Sequence, residues 1–494
     1  MGELKHQVQQ RNTAMKKHPD DALGGWPALV VSGFAVSLVL IDGFMISIAT
    51  PHLLEAFQMK PEHMGWIIGA YVLPLAALPL IFGALGDRYG VRRLFSCGVV
   101  LLVAGALLCA TADTMYQLIL WRFLQGCGAA LISPQTLNAA ATALGASRRG
   151  LAIGVWGALS AAAMLLGPII GGLVLSYLDW RWIFLVNLPL GLLALSGFLV
   201  AVPKRPVPTV ATGRPALPIA SALMLATGAG LIVAALGPGF RGEPIGAAGL
   251  AAGVAILAFW YRRERRDQSV AAFLVGPDIL ANRSIARACL AVFAMNASSA
   301  GTVAVISLAV MQAQGAANAA LTSWIFVPGM VMVAALMPYA GSLAQRRTNL
   351  SRFGLIAAVM TAIITPALTG AALFALPQPS FAIAAAAIAL QGTGAAFVLS
   401  YATFGAIISV APKDAGLASG SLSMSRNIGT AVGAATLTGS IAVTGSLHLA
   451  FVASLCLATL ALPFLRQYLQ RTAAAASSVS VQTNAGLDTD RARS

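Results

Sequence analysis

The chain has 494 residues, of which 58% are hydrophobic and 10% charged. Soluble domains carry roughly 25% charged residues, so these charges are too few to cover a water-facing surface of this size, and a soluble globular protein is excluded. The net charge of +15 does not indicate nucleic-acid binding, because the Lys and Arg residues sit in short clusters between apolar runs, the pattern of membrane topology.

The first residues, Met1 to Asp20, are polar and include Lys5, Arg11, Lys16 and Lys17. They lack the basic, apolar and small-residue layout of a cleavable signal peptide, so the first span should direct insertion. A helix needs about 20 apolar residues to cross the hydrocarbon core. Fourteen runs meet this in chain order: 28–50, 65–85, 94–112, 116–138, 150–177, 182–202, 215–237, 244–261, 284–312, 319–344, 353–375, 380–410, 416–442 and 447–465. Alternate loops hold the basic residues: Arg88, Arg92 and Arg93; Arg148 and Arg149; Lys204, Arg205 and Arg214; Arg262 to Arg266 and Arg283; Arg346, Arg347 and Arg352; Lys413. The opposite loops hold only Lys60, Arg181 and Arg241. The positive-inside rule places the first set, and both termini, in the cytoplasm. The expected organisation is a cytoplasmic segment 1–27, a six-helix bundle 28–202, a linker 203–283 with two extra spans, a second six-helix bundle 284–465, and an Ala/Ser/Thr-rich disordered tail 466–494.

The first span holds Asp42, which alone of the 16 acidic residues lies well inside an apolar run. A carboxylate there must protonate or find water or a cation, which is what proton coupling requires. The loop after the second span reads Gly83-Ala84-Leu85-Gly86-Asp87-Arg88-Tyr89-Gly90-Val91-Arg92-Arg93. Gly83 permits close helix approach, Gly90 suits a turn with positive φ, and Asp87 suits a helix N-terminus. The fourth span carries Arg122 and Gln125. A cation at mid-helix usually faces a polar cavity or a partner. The fifth span contains Gly157 and Gly167-Pro168-Ile169-Ile170-Gly171-Gly172, where small residues allow tight packing and Pro168 should bend the helix. Trp180 and Trp182 should anchor at the outer interface, with Arg181 pairing Asp179. Arg426, in the thirteenth span, is a second buried cation that would contact an anionic substrate or a carboxylate across the cavity.

Gly65–Arg88 aligns with Ser323–Arg346 at an offset of 258. Leu124-Gln125-Gly126 recurs as Leu390-Gln391-Gly392, and Gly150-Leu151-Ala152 as Gly416-Leu417-Ala418, both at 266. Spans two, four and five thus correspond to ten, twelve and thirteen. Two parallel six-helix repeats related by an axis along the membrane normal are a transporter architecture, with substrate bound between the halves.

The loop from Gly83 to Arg93 resembles the signature between helices two and three of the major facilitator superfamily. Arg122 and its neighbours resemble the family's helix-four motif, and Gly167-Pro168 with Gly171-Gly172 its antiporter motif. The run Trp180 to Gly191 is similar to the signature of the fourteen-span drug:proton antiporters. The resemblance implies an all-α major facilitator fold with two extra central helices. It implies proton-coupled export of amphipathic or aromatic small molecules by alternating access. Asp42 and Arg122 would couple protons. Gly83, Asp87, Arg88, Gly90 and Arg92 would form a cytoplasmic latch, with Asp87 on the start of span thirteen near Gly416. Phe44, Ser47, Gln125 and Arg426 would line the cavity. The second copy of the latch has Gln345 at the Asp87 position, so the latch should be asymmetric.

The first-helix motif of the drug antiporters keeps Asp42, Ala49 and Pro51 here, but Phe44 and Ser47 replace Thr and Asn. Asp42-Gly43-Phe44 is also similar to aromatic-acid:proton symporters, so uptake of organic acids is the alternative. A non-transporting membrane sensor and a membrane-embedded enzyme are further alternatives; no His/Glu/Asp cluster within the spans supports the enzyme. The expected location is a bacterial inner membrane, and the expected partners are a small-molecule substrate, protons and lipid. The chain is expected to act as a monomer without cofactor or metal. His52, Glu55 and His63 read as solvated loop residues. Cys97, Cys109, Cys127, Cys289 and Cys456 read as small apolar side chains.

Overall fold

The computed structural model describes residues 24–59, 63–204, 219–235, 244–266, 282–314, 319–345, 381–411 and 414–444. Among them the chain is helical. The elements are α1 (Gly25–Ile48), α2 (Thr50–Ala56), α3 (Met64–Ala77), α4 (Pro79–Tyr89), α5 (Val91–Ala110), α6 (Met115–Ala143), α7 (Arg149–Tyr177), α8 (Trp182–Leu185), α9 (Asn187–Ala201), α10 (Ile219–Ala235), α11 (Pro244–Arg266), α12 (Arg283–Gln314), α13 (Ala319–Gln345), α14 (Phe381–Ile408) and α15 (Ala415–Thr444). The expected spans 353–375 and 447–465, the tail after 465 and the first 23 residues lie outside the described residues. So do Lys60, Arg205, Arg214, Arg241, Arg346, Arg347, Arg352, Lys413 and Cys456.

Seven described helices are long and apolar enough to cross a membrane, or eight if the pair α3 and α4 forms one span. The second span is not one straight rod. It bends by 49° between α3 and α4, where Pro79 starts a new helix without an N–H to continue the old one. By contrast α7 runs unbroken through Pro168. Thr114 starts α6 by accepting a hydrogen bond from the Gln117 N–H at 3.3 Å, and the Gln117 side chain accepts from the Asp113 N–H at 2.9 Å. The first bond satisfies one donor that the helix start leaves free, and the second fixes the N–H just before the cap.

The sequence repeat has a counterpart in the packing. In the first half α4 crosses α15 of the second, and α13 of the second half crosses α7 of the first. These are the repeat equivalents exchanged. At one crossing a Cβ on Gly83 would run into the Gly416 carbonyl; at the other a Cβ on Gly341 would run into the Gly150 carbonyl. Within the halves, a Cβ on Gly126 would strike the Tyr71 carbonyl, and one on Gly392 would strike the Gly329 carbonyl. Tyr71 and Gly329 differ by 258, Gly126 and Gly392 by 266. The two halves therefore reuse one set of backbone contacts about a pseudo-twofold axis.

The pair α10 and α11 packs together, and α10 rests on α3 and α15. Leu225 and Trp260 from this pair join Leu80 and Ile81 of α4 and Leu417 and Met424 of α15 in one apolar cluster. The two extra helices thus touch both halves.

Candidate functional site

Asp42 lies on α1 and is buried, at 3% exposure. Of the outcomes the sequence allowed, its carboxylate finds a cation, with two amides beside it. Arg122 Nη1 of α6 donates to Oδ2 at 2.8 Å, Gln125 Nε2 to Oδ1 at 2.8 Å, and Asn187 Nδ2 of α9 to Oδ1 at 2.7 Å. Arg122 also donates to Gln125 Oε1 at 2.9 Å. Its guanidinium lies 4.3 Å from the centre of the Tyr71 ring and 5.9 Å from that of Phe184. The Tyr71 hydroxyl is held by the Val39 carbonyl at 2.8 Å, one helical turn before Asp42. Charge-assisted bonds of this kind contribute about 1.5–3 kcal/mol each, and a buried ion needs them to offset its desolvation. Three helices, α1, α6 and α9, converge on one carboxylate.

Gln125 therefore belongs to this network and not to the cavity wall. Its two ends are taken up by Asp42 and Arg122, which turns it away from open space. Asn187 was not singled out from sequence. The available signal was an amide within the apolar stretch from Trp182 to Ala201.

The antiporter motif sits beside the network. A Cβ on Gly167 would lie 2.8 Å from Phe44 Cβ, and one on Gly171 3.4 Å from Met45 Cα, so both glycines let α7 approach α1 just beyond Asp42. Gly172 differs: nothing lies within 4 Å of a Cβ there, and it seats no neighbour. Trp180 is also corrected. It is buried, with Phe57 and Phe184 rings 5.2 and 6.2 Å away, while Trp182 is exposed. Arg181 lies over Trp180 and 3.6 Å from Asp179.

Asp87, at the end of α4, accepts from the Gly416 N–H at 2.8 Å and the Leu417 N–H at 2.9 Å. These are unpaired donors at the start of α15, where a negative charge is also favoured by the helix dipole. Asn138 Nδ2 reaches Asp87 Oδ1 at 3.3 Å. Gly90 has φ +98°, the left-handed region that glycine enters freely, and it turns α4 into α5. Arg92 donates to the Val202 carbonyl at 3.1 Å, tying α5 to the end of α9. Arg88 lies 5.7 Å from the Tyr89 ring centre. At the equivalent crossing Gln345 Oε1 accepts from the Gly150 N–H at 2.9 Å, and Nε2 donates to the Ala146 carbonyl at 2.9 Å. One crossing is held by a charge and the other by an amide.

Between the halves lies a cavity of about 330 Å³. Phe44 and Arg426 line it, as do Tyr71, Arg122, Trp156 and Asn427. The Ser47 side chain lies outside the described residues. The helix crossings at Gly83–Gly416 and Gly150–Gly341 close the side of the cavity that carries the basic loops.

The Major Facilitator Superfamily family model matches residues 32–220. An MFS-type transporter of Mycobacterium tuberculosis is 28% identical over 429 residues, covering 83% of this chain and 69% of that one. The puromycin resistance protein of Streptomyces alboniger is 35% identical over 264 residues, 52% of this chain and 50% of that one. The chain thus spans about half the length of the second relative. The human organic anion transporter MFSD10 shares the fold, with a TM-score of 0.64 and 16% identity over 89% of this chain and 99% of that one.

Proposed function

We propose that this chain is a multi-pass membrane transporter of the major facilitator superfamily, the family whose model matches residues 32–220, and that it exports amphipathic or aromatic small molecules in exchange for protons. The observation that carries the reading is the Asp42–Arg122–Gln125–Asn187 network, sequestered beside a cavity whose cytoplasmic side is shut. A proton reaching Asp42 removes the charge that holds three donors. The bonds to α6 and α9 weaken, and α1 is freed to move with α7. Loss of the proton to the cytoplasm restores the network. Access alternates as the crossings at Gly83–Gly416 and Gly150–Gly341 open and close. Asp42 and Arg122 are the coupling pair, and Asp87 with its neighbours is the latch.

The protein works in a bacterial inner membrane with both termini in the cytoplasm, as a monomer that draws on the proton gradient and needs no cofactor. One relative is a puromycin resistance protein, which supports export of a drug-like amphipath. Uptake of organic acids is the second reading, favoured by the cation Arg426 in the cavity wall.

The test is a drug-susceptibility and accumulation screen in cells lacking their main exporters. The intact protein should raise resistance to some amphipathic compounds and lower their accumulation, and Asp42→Asn should do neither. Proton-driven accumulation of the same compounds would point to uptake instead.

A further inference from the structure

The polar atoms of the cavity wall are not evenly spent. Asn427 Nδ2 donates to the Leu75 carbonyl at 2.7 Å and Asn296 Nδ2 to the Val292 carbonyl at 2.8 Å. The Ser160 hydroxyl donates to the Trp156 carbonyl at 2.9 Å and the Thr430 hydroxyl to the Arg426 carbonyl at 3.1 Å. Arg122 is committed to Asp42 and Gln125. Two donors remain. Trp156 Nε1 is buried and has no hydrogen-bond partner. Arg426 is half-buried, and no described residue provides an acceptor or a carboxylate for its guanidinium. Among the described residues no Asp or Glu lines the cavity.

The ion pair at Asp42 cancels its own charge, so the described cavity wall carries one uncompensated positive charge on α15, while Trp156 of α7 lines the cavity with its indole N–H unpartnered. A charge partly withdrawn from water without a partner carries a desolvation cost, and a bound anion relieves it. The rest of the wall is apolar and aromatic, with Phe44, Tyr71, Trp156 and Met337 among its members. From this geometry we propose that the transported substrate is an aromatic or amphipathic organic anion, whose carboxylate or sulfonate meets Arg426 and accepts from Trp156 Nε1. In the repeat Arg426 corresponds to Ser160, at an offset of 266, and both line the cavity. The charge therefore lies on the second half, facing the Asp42 network on the first. An anion held by Arg426 bridges the two halves. A cationic substrate would meet the like charge of Arg426.

This substrate class rests on the export reading, and the experiment separates the two. Purified full-length protein is titrated calorimetrically with three probes of one shape: 2-naphthoate, 2-naphthamide and (2-naphthylmethyl)trimethylammonium. The wild type should bind naphthoate about tenfold or more tightly than naphthamide, as one charge-assisted bond provides, and should bind the ammonium least. Arg426→Gln should abolish the preference while keeping naphthamide affinity, which also reports an intact fold. Arg426→Lys should retain most of it. Trp156→Phe should weaken naphthoate more than naphthamide. Equal binding of naphthoate and naphthamide by the wild type, tightest binding of the ammonium, or no naphthoate binding at millimolar concentration would overturn the proposal. So would an unchanged preference in Arg426→Gln. If Arg426→Gln fails to fold, the wild-type ranking and Arg426→Lys decide. Naphthoate selectivity without proton-driven flux in vesicles would count against export alone. Proton-driven flux of the ammonium probe without anion selectivity would count against the substrate class alone.

Discussion

Asp42 accepts three hydrogen bonds, and this decides how the site should respond to substitution. Arg122→Gln removes the cation and leaves a buried carboxylate uncompensated. Breaking a buried pair from one side costs about 3–5 kcal/mol, so this variant should melt well below wild type in a detergent thermal-shift assay. Asp42→Asn with Arg122→Gln removes both charges and should recover much of that loss. A double variant no more stable than Arg122→Gln alone would contradict the pair. The sequence marked Asp42 and Arg122 because each is a lone charge in an apolar run. It could not mark Asn187 in the same way, because one amide in a membrane helix is a modest anomaly. The joining of Gln125 to Asp42 depends on the angle between α1 and α6, which no spacing along the chain reports.

At the scale of helices, the halves meet where backbone touches backbone. Gly83→Val places a branched side chain against the Gly416 carbonyl and should force α4 from α15. Gly150→Val should do the same for α7 and α13. Either should admit a membrane-impermeant thiol reagent, applied from the cytoplasmic side, to a cysteine introduced at Ser160. In the parent that cysteine should stay protected. Asp87→Asn keeps an acceptor but loses charge, and hydrogen bonds to charged groups contribute about 1.5–3 kcal/mol. It should therefore open the same face less than Gly83→Val does, and Gln345→Ala less again. These crossings were legible, since Gly83, Gly150, Gly341 and Gly416 recur in register. The bend between α3 and α4 was less so, because Pro74 and Pro79 both lie in the run and only packing selects the break. Among the described helices α6 is long, yet it is not among those that pass as apolar spans. Its Arg122, Gln125, Gln135 and Asn138 are buried against protein, so average apolarity understates how well it suits a bundle interior.

Across the whole molecule, the pseudo-twofold relation was readable from two offsets, 258 and 266. The charge content of the cavity was not, because Arg426 is a transport residue only if no carboxylate answers it, and that requires the packing. Charge movement follows. Exchange of one inward proton for one outward monoanion moves two charges, whereas exchange for a monocation moves none. Each charge draws about 2.3 kcal/mol from a 100 mV potential. In proteoliposomes clamped with valinomycin and potassium, naphthoate exchange should accelerate when the substrate-releasing side is made positive. Insensitivity to potential would contradict anion-for-proton exchange. The central claim, that a proton on Asp42 drives export, is tested most directly in inside-out vesicles with the lumen made acidic. The wild type should accumulate substrate and release lumenal protons when substrate is added. Asp42→Asn, present at equal amount and still binding substrate, should do neither. Undiminished gradient-driven accumulation by Asp42→Asn would contradict the account.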